Sequence, residues 1–209
     1  MDGGYAVYVD GPLPPDLDVV SEEEVVEGWE DAWRAFHHGV VVGRLWVGPP
    51  WEQAPAGAIA VVVDPGRAFG TGAHPTTRLC LELLQEVEPA SLLDVGCGSG
   101  VLSIAAAKLG FAPVTAVDVD PVAVATTVTN AAANGVEVTA REAGELPRAE
   151  VAVANIALEV VEQLLPRLDA ARVVTSGYLE HEAPGADGWQ RVERRVRDGW
   201  AADLLEFRP

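Results

Sequence analysis

From residue 92 onward, short apolar runs alternate with stretches whose apolar residues recur at helical spacing. The runs at 92–95, 114–118, 136–140, 150–154 and 172–176 read as buried strands, and the stretches at 101–109, 121–133 and 158–168 as helices. Alternation of this kind predicts an α/β fold built on a doubly wound parallel sheet. The C-terminus breaks the pattern. Residues 189–197 and 200–208 flank Asp198-Gly199, a pair that favours a tight hairpin. An antiparallel hairpin therefore extends the five parallel strands to a mostly parallel, seven-stranded sheet. Residues 180–188, with Pro184, Gly185 and Gly188, are too short and broken for a helix, so a loop or single turn is expected.

Ahead of residue 92 the pattern is less regular. Residues 5–9 form one strand candidate. Residues 22–36 have helical spacing, with Val25, Val26, Trp29, Trp33 and Phe36 on one side. Ser21 followed by Glu24 is a capping-box pattern for that helix. Strands are expected at 40–47 and 59–63, and a helix from His74 to about Val87. The chain is expected to divide into a short N-terminal extension with a linker helix, 1–50, and a main domain, 51–209.

Composition changes this picture little. Nearly half of the 209 residues are apolar, enough for a full core. No apolar run reaches membrane-spanning length, and no basic region precedes an apolar stretch at the start. The expected location is therefore the cytoplasm. Cys80 and Cys97 do not suggest a disulfide framework.

Charge adds more. The chain carries 32 acidic and 14 basic residues, a formal charge of −18, and Lys108 is its one lysine. Such a surface repels polyanions, and direct nucleic-acid binding is not expected. Arg191, Arg194, Arg195 and Arg197 are mixed with Glu193 and Asp198 and read as an exposed strand face. The charge fits either a merely solvated surface or the steering of a basic partner.

The chemistry sits at residues 94–100, Asp-Val-Gly-Cys-Gly-Ser-Gly, between a predicted strand and a predicted helix. A glycine-rich turn there lets a ligand approach the backbone and the helix N-terminus. The spacing is G-x-G-x-G, not the G-x-G-x-x-G of dinucleotide enzymes. Asp94 leads the turn, and Asp118 follows at the end of the next apolar run, where a carboxylate can take both hydroxyls of a ribose. Together these features resemble the S-adenosylmethionine (SAM) site of class I methyltransferases, whose Rossmann-like sheet also ends in a hairpin.

The resemblance narrows further. The segment Pro65-Gly66-Arg67-Ala68-Phe69-Gly70-Thr71-Gly72-Ala73-His74-Pro75-Thr76-Thr77 is similar to the signature of ribosomal protein L11 methyltransferases. Asp94 to Leu102, Val117-Asp118-Val119-Asp120-Pro121 and Ala154-Asn155-Ile156-Ala157 follow in that family's order, and Trp29-Glu30-Asp31-Ala32-Trp33 resembles its linker. The resemblance implies a SAM-dependent N-methyltransferase acting on a protein amine, with a basic, ribosomal protein as partner. The 28 residues before Trp29 are too few for the family's separate recognition domain. Weak, salt-sensitive association with free ribosomal protein L11 is the resulting expectation. A small-molecule or RNA methyltransferase of the same fold, and a SAM-binding module without turnover, stay open.

Residue roles follow from the resemblance. Gly96, Gly98 and Gly100 let the backbone pass against SAM, with Asp94 leading them. Asp118 takes the ribose hydroxyls, while Asp120 suits the helix N-cap better. Glu142, with Ala143, lies where this fold holds adenine, or is an exposed loop carboxylate. Thr77 is a SAM contact or a capping hydroxyl. Phe69 covers the cofactor or is buried in the core. His74 reads as a structural or capping residue. His37 and His38 have no partner pattern, and no metal site is expected. Asn155 ends the fourth strand, where the transferable methyl should sit, and is both a cofactor contact and the expected catalytic residue. Asn155-Ile156-Ala157-Leu158 has no aromatic to stack on a base, which favours an aliphatic amine.

Overall fold

The computed structural model describes residues 38–64, 72–185 and 187–208. The strand expected at 5–9, the helix at 22–36, the linker segment and Phe69 lie outside these residues.

Among the described residues the chain forms ten strands and four α-helices. Three strands come first: β1 (Val40–Val42), β2 (Leu45–Gly48) and β3 (Ile59–Val62). There follow α1 (Pro75–Leu84), β4 (Leu92–Val95), α2 (Val101–Leu109), β5 (Val114–Asp118) and α3 (Pro121–Ala133). The C-terminal third holds β6 (Thr139–Glu142), β7 (Val151–Asn155), α4 (Leu158–Leu164), β8 (Arg172–Leu179), β9 (Trp189–Arg197) and β10 (Trp200–Phe207). The last seven strands make one sheet in the order β6-β5-β4-β7-β8-β10-β9. β6, β5, β4, β7 and β8 are parallel, and β10 pairs antiparallel with both β8 and β9. This is the expected doubly wound sheet with its terminal hairpin. The hairpin turns at Asp198 and Gly199, with φ of +52° and +80°, as a two-residue turn with both residues left-handed requires.

The strand expected at 40–47 is instead a hairpin. Val42 pairs with Leu45, and Gly43 turns the chain at φ +58°. Gln85, just past α1, clamps the turn. It accepts from Arg44 N–H at 2.9 Å and donates to Val42 C=O at 3.1 Å and Leu81 C=O at 2.9 Å. β2 then pairs parallel with β3, forming a separate three-stranded sheet.

Two other boundaries moved. The third parallel strand begins at Thr139 rather than 136, opposite Thr115. The helix expected over 158–168 ends at Leu164 and tightens into a 3₁₀ turn, Leu165–Arg167, because Pro166 has no N–H to extend the α-helical ladder.

The inner parallel strands β4, β5, β7 and β8 are buried on both faces, which explains their apolar runs, while β6 at the edge is largely exposed. One core joins α1, α2 and the small sheet around Val47, Leu79, Leu83, Ile104, Val153 and Val174. The opposite core gathers Leu93, Val117, Ala152, Val161, Val173 and Leu205. Cys80 and Cys97 are both free and buried. The arginines of β9 are not an open face. Arg191 and Arg194 approach the buried Asp203 at 3.8 and 3.4 Å. Arg195 pairs with Glu82, Glu86 and Glu193, and Arg197 with Glu82 at 2.7 Å. No helix among the described residues is long and apolar enough to cross a membrane.

Candidate functional site

The carboxyl ends of β4, β5 and β7 meet where the strand order reverses, the position at which open α/β sheets hold ligands. The turn after β4 is fixed there by backbone bonds. Gly96 N–H and Cys97 N–H both donate to Val117 C=O, at 2.8 and 3.2 Å, and Gly100 N–H donates to Cys97 C=O at 2.8 Å. Gly96 has φ +78°, and a Cβ there would stand 2.5 Å from Ile156 Cγ2. Any side chain would collide, so the turn presents bare backbone. Gly100 caps α2 without a side-chain bond, leaving the positive helix end toward the turn.

The two acids beside the turn differ sharply. Asp118 is half-buried. Its Oδ2 accepts from Gly98 N–H at 2.9 Å and its Oδ1 from Asp120 N–H at 3.0 Å. Each oxygen keeps a further lone pair. The cap of α3 is Asp120, which accepts from Val122 N–H at 2.8 Å, so Asp118 has no capping duty. Asp94 lies inside the protein, 1% exposed. Ser103 Oγ donates to its Oδ2 at 2.5 Å, and its Oδ1 is buried without a hydrogen-bond partner. Burial pushes its carboxyl up to about 6, against the Ser103 hydrogen bonds and with help from nearby Asp118.

That shift sets a pH dependence. A carboxyl raised in the folded state stabilises least when ionised. The penalty is absent below about pH 4, grows between pH 4 and 6, and reaches roughly 3 kcal/mol near pH 8. Asp94→Asn should therefore be more stable than the natural chain at pH 8, with a clearly smaller gain at pH 5. Urea unfolding at both values checks this. An equal gain at both pH values would contradict it.

At the other end of the site, Asn155 closes β7. Its Nδ2 donates to Thr77 Oγ1 at 3.3 Å, and the next residue, Ile156, donates its N–H to Ser176 C=O at 3.0 Å. Thr77 is buried, 1% exposed, and is not the cap of α1. That cap is His74, whose Nδ1 accepts from Thr76 N–H. Glu142 ends β6 opposite Asp118 and is exposed. Ala143 N–H is committed to Asp118 C=O at 2.7 Å.

The structure thus brings Gly96, Gly98, Gly100 and Asp118 together at the turn, and Thr77 and Asn155 at the end of β7. Ile156 joins the groups by its contact with Gly96. Asp94 sits beneath the turn, and Glu142 stands on the outer strand of the sheet. Sequence reasoning missed three residues. Ser103 was readable as the one polar residue besides Lys108 in an otherwise apolar helix. Gly177, at φ +105°, leaves no room for a Cβ against the Ile156 backbone and so fixes the peptide after Asn155. Trp200 packs edge-on against His74, with ring centroids 5.0 Å apart, and only tertiary structure reveals that pair. Among the described residues no acidic, His or Cys cluster could hold a metal ion.

With this geometry in place, relatives are informative. The model of the family described as Ribosomal protein L11 methyltransferase (PrmA) matches residues 14–204. The chain belongs to the ribosomal protein L11 methyltransferase family. A family member from Myxococcus xanthus is 40% identical over 181 residues, covering 80% of this chain and 63% of that protein. One from Symbiobacterium thermophilum is 42% identical over 206 residues, covering 88% of this chain and 66% of the relative. The chain thus spans about two thirds of these family members. The crystal structure of a ribosomal protein L11 methylase from Lactobacillus delbrueckii subsp. bulgaricus superposes with a TM-score of 0.73 at 29% identity, over 82% of this chain and all of that one.

Proposed function

We propose that this chain is a SAM-dependent N-methyltransferase acting on an amine of a protein, with ribosomal protein L11 the first substrate to test. The observation that carries this reading is the pair Asn155–Thr77 at the end of β7, beside the bare glycine turn, in a chain of this family. Residues 51–209 form the methyltransferase domain in this reading, and residues 1–50 an extension with a linker helix.

The residues fit SAM. Gly96 offers backbone with no side chain of its own, in a place where Ile156 leaves no room for one. Asp118, held by two backbone amides, retains lone pairs for the ribose hydroxyls. Asp94 has one buried oxygen without a donor, and a cationic neighbour would restore its ionised form. Glu142, exposed at the end of β6, borders the adenine side, and Phe69 is assigned to cover the cofactor. SAM brings an already activated methyl group, so positioning matters more than acid–base assistance.

Asn155 supplies that positioning. With Nδ2 held by Thr77, its Oδ1 remains to accept an amine N–H and aim the nitrogen lone pair. A lysine must first lose a proton, which at pH 7 costs about 4–5 kcal/mol from an unperturbed pKa near 10.4. A drier pocket and the neighbouring sulfonium charge lower that cost. The proton leaves to water, since no strong general base stands by Asn155 among the described residues.

The charge of the chain itself bears on its partner. A chain of formal charge −18 attracts a basic protein by long-range forces that salt weakens. Purified ribosomal protein L11 incubated with the chain and labelled SAM should take label on amine nitrogen, faster at low than at physiological salt. Label appearing instead in RNA, or in no protein at either salt, would contradict the proposal.

A further inference from the structure

The turn over residues 96–100 does not hold its shape alone. Three side chains from later elements fix successive peptide groups within it. Gly98 N–H donates to Asp118 Oδ2 at 2.9 Å. Thr127 Oγ1 donates to Gly98 C=O at 3.1 Å. Asn130 Nδ2 donates to Ser99 C=O at 2.9 Å. Thr127 and Asn130 are both buried and lie one turn apart on α3, the spacing that puts two side chains on one helix face.

Asn130 does more than close the turn. Its Oδ1 accepts from Asp64 N–H and its Nδ2 donates to Asp64 C=O, both at 3.3 Å. One carboxamide therefore ties the glycine turn to the backbone immediately before the 65–77 signature. Asn suits the place because a single short group carries two donors and an acceptor. Asn134, one turn further along α3, clamps Val62 in the same way. It accepts from Val62 N–H at 2.9 Å and donates to Val62 C=O at 2.6 Å. Asn134 anchors β3, and its Nδ2 also donates to Asn130 C=O at 2.8 Å within the helix, but it makes no bond to the turn, so it serves as an internal control.

We propose that Asn130 is a positioning residue of the cofactor site, setting the glycine turn and the backbone of Asp64 in register with one another. This rests on the SAM reading above. Asn130 acts through Ser99 and Asp64. If the register matters, breaking it weakens cofactor capture and leaves the transfer step intact once SAM saturates.

The test compares the natural chain with Asn130→Asp and Asn134→Ala, measuring thermal midpoint, SAM affinity by calorimetry, and kcat and KM for SAM. Asn130→Asp keeps the acceptor for Asp64 N–H but sets an oxygen against two carbonyls. It should weaken SAM binding and raise KM roughly tenfold, the order expected for losing the one of these hydrogen bonds that reaches the turn, at Ser99, with kcat near that of the natural chain. Asn134→Ala should lower the midpoint without changing SAM affinity. If Asn130→Asp does not fold, Asn130→Ser, which keeps one hydroxyl donor, should show a smaller rise in KM. Unchanged SAM affinity in the Asn130 variants, or an equal loss in Asn134→Ala, would overturn the proposal while leaving the SAM site standing. Absence of SAM binding by the natural chain would overturn both.

Discussion

Asn155→Ala should lose turnover by about a hundredfold or more, the order expected when a reacting group loses its orientation, while SAM affinity changes much less. Asn155 stands at the last position of β7 with its Nδ2 on Thr77. The peptide after it is pinned by the Ser176 carbonyl and by the close approach of Gly177. The side chain is thus held in one orientation by fixed partners. Removing it leaves the turn, Asp118 and the helix end in place, so the cofactor keeps its contacts while the acceptor amine loses its guide. The loss should fall on kcat and kcat/KM together, the pattern of an interaction made in the transition state. Steady-state kinetics with saturating SAM and ribosomal protein L11 decide the point. A raised KM for SAM with unchanged kcat would make Asn155 a cofactor contact only.

Much of the fold was legible in the sequence, and the errors have local causes. The helix at 101–109 and its neighbour at 121–133 were readable to the residue because Gly100 and Gly110 bracket the first, and Asp120-Pro121 opens the second. Asp198-Gly199 carried the terminal hairpin. The misread strand at 40–47 hid its turn in Gly43-Arg44, which lacks the usual turn pair and depends on Gln85 from a distant helix. Val136 and Val138 looked like strand because they are apolar, yet they pack against the core before pairing begins at Thr139.

The site divides in the same way. Glycine spacing and the acid after the second strand are written in consecutive residues, so the turn and Asp118 were legible. The burial of Asp94 was not, because it arises only when α2 brings Ser103 over β4. Neither were Thr127 and Asn130, whose carbonyl partners lie 29 and 31 residues earlier. Trp200 met His74 through the folding of the C-terminal hairpin beside α1.

Asp118→Ala tests most directly whether the turn and Asp118 hold SAM. Asp118 is half-buried and anchored by Gly98 N–H and Asp120 N–H. Its removal deletes the acceptor proposed for two ribose hydroxyls and frees the Gly98 peptide that shapes the turn. The expected loss is on the order of 2–3 kcal/mol, from charge-assisted hydrogen bonds. The measurement is calorimetric titration of the natural chain and of Asp118→Ala with SAM, with NAD in parallel. The natural chain should bind SAM and not NAD, and the variant should bind SAM about thirtyfold more weakly or worse, the lower bound of that energy. Unchanged SAM affinity in Asp118→Ala, or preference of the natural chain for NAD, would contradict this.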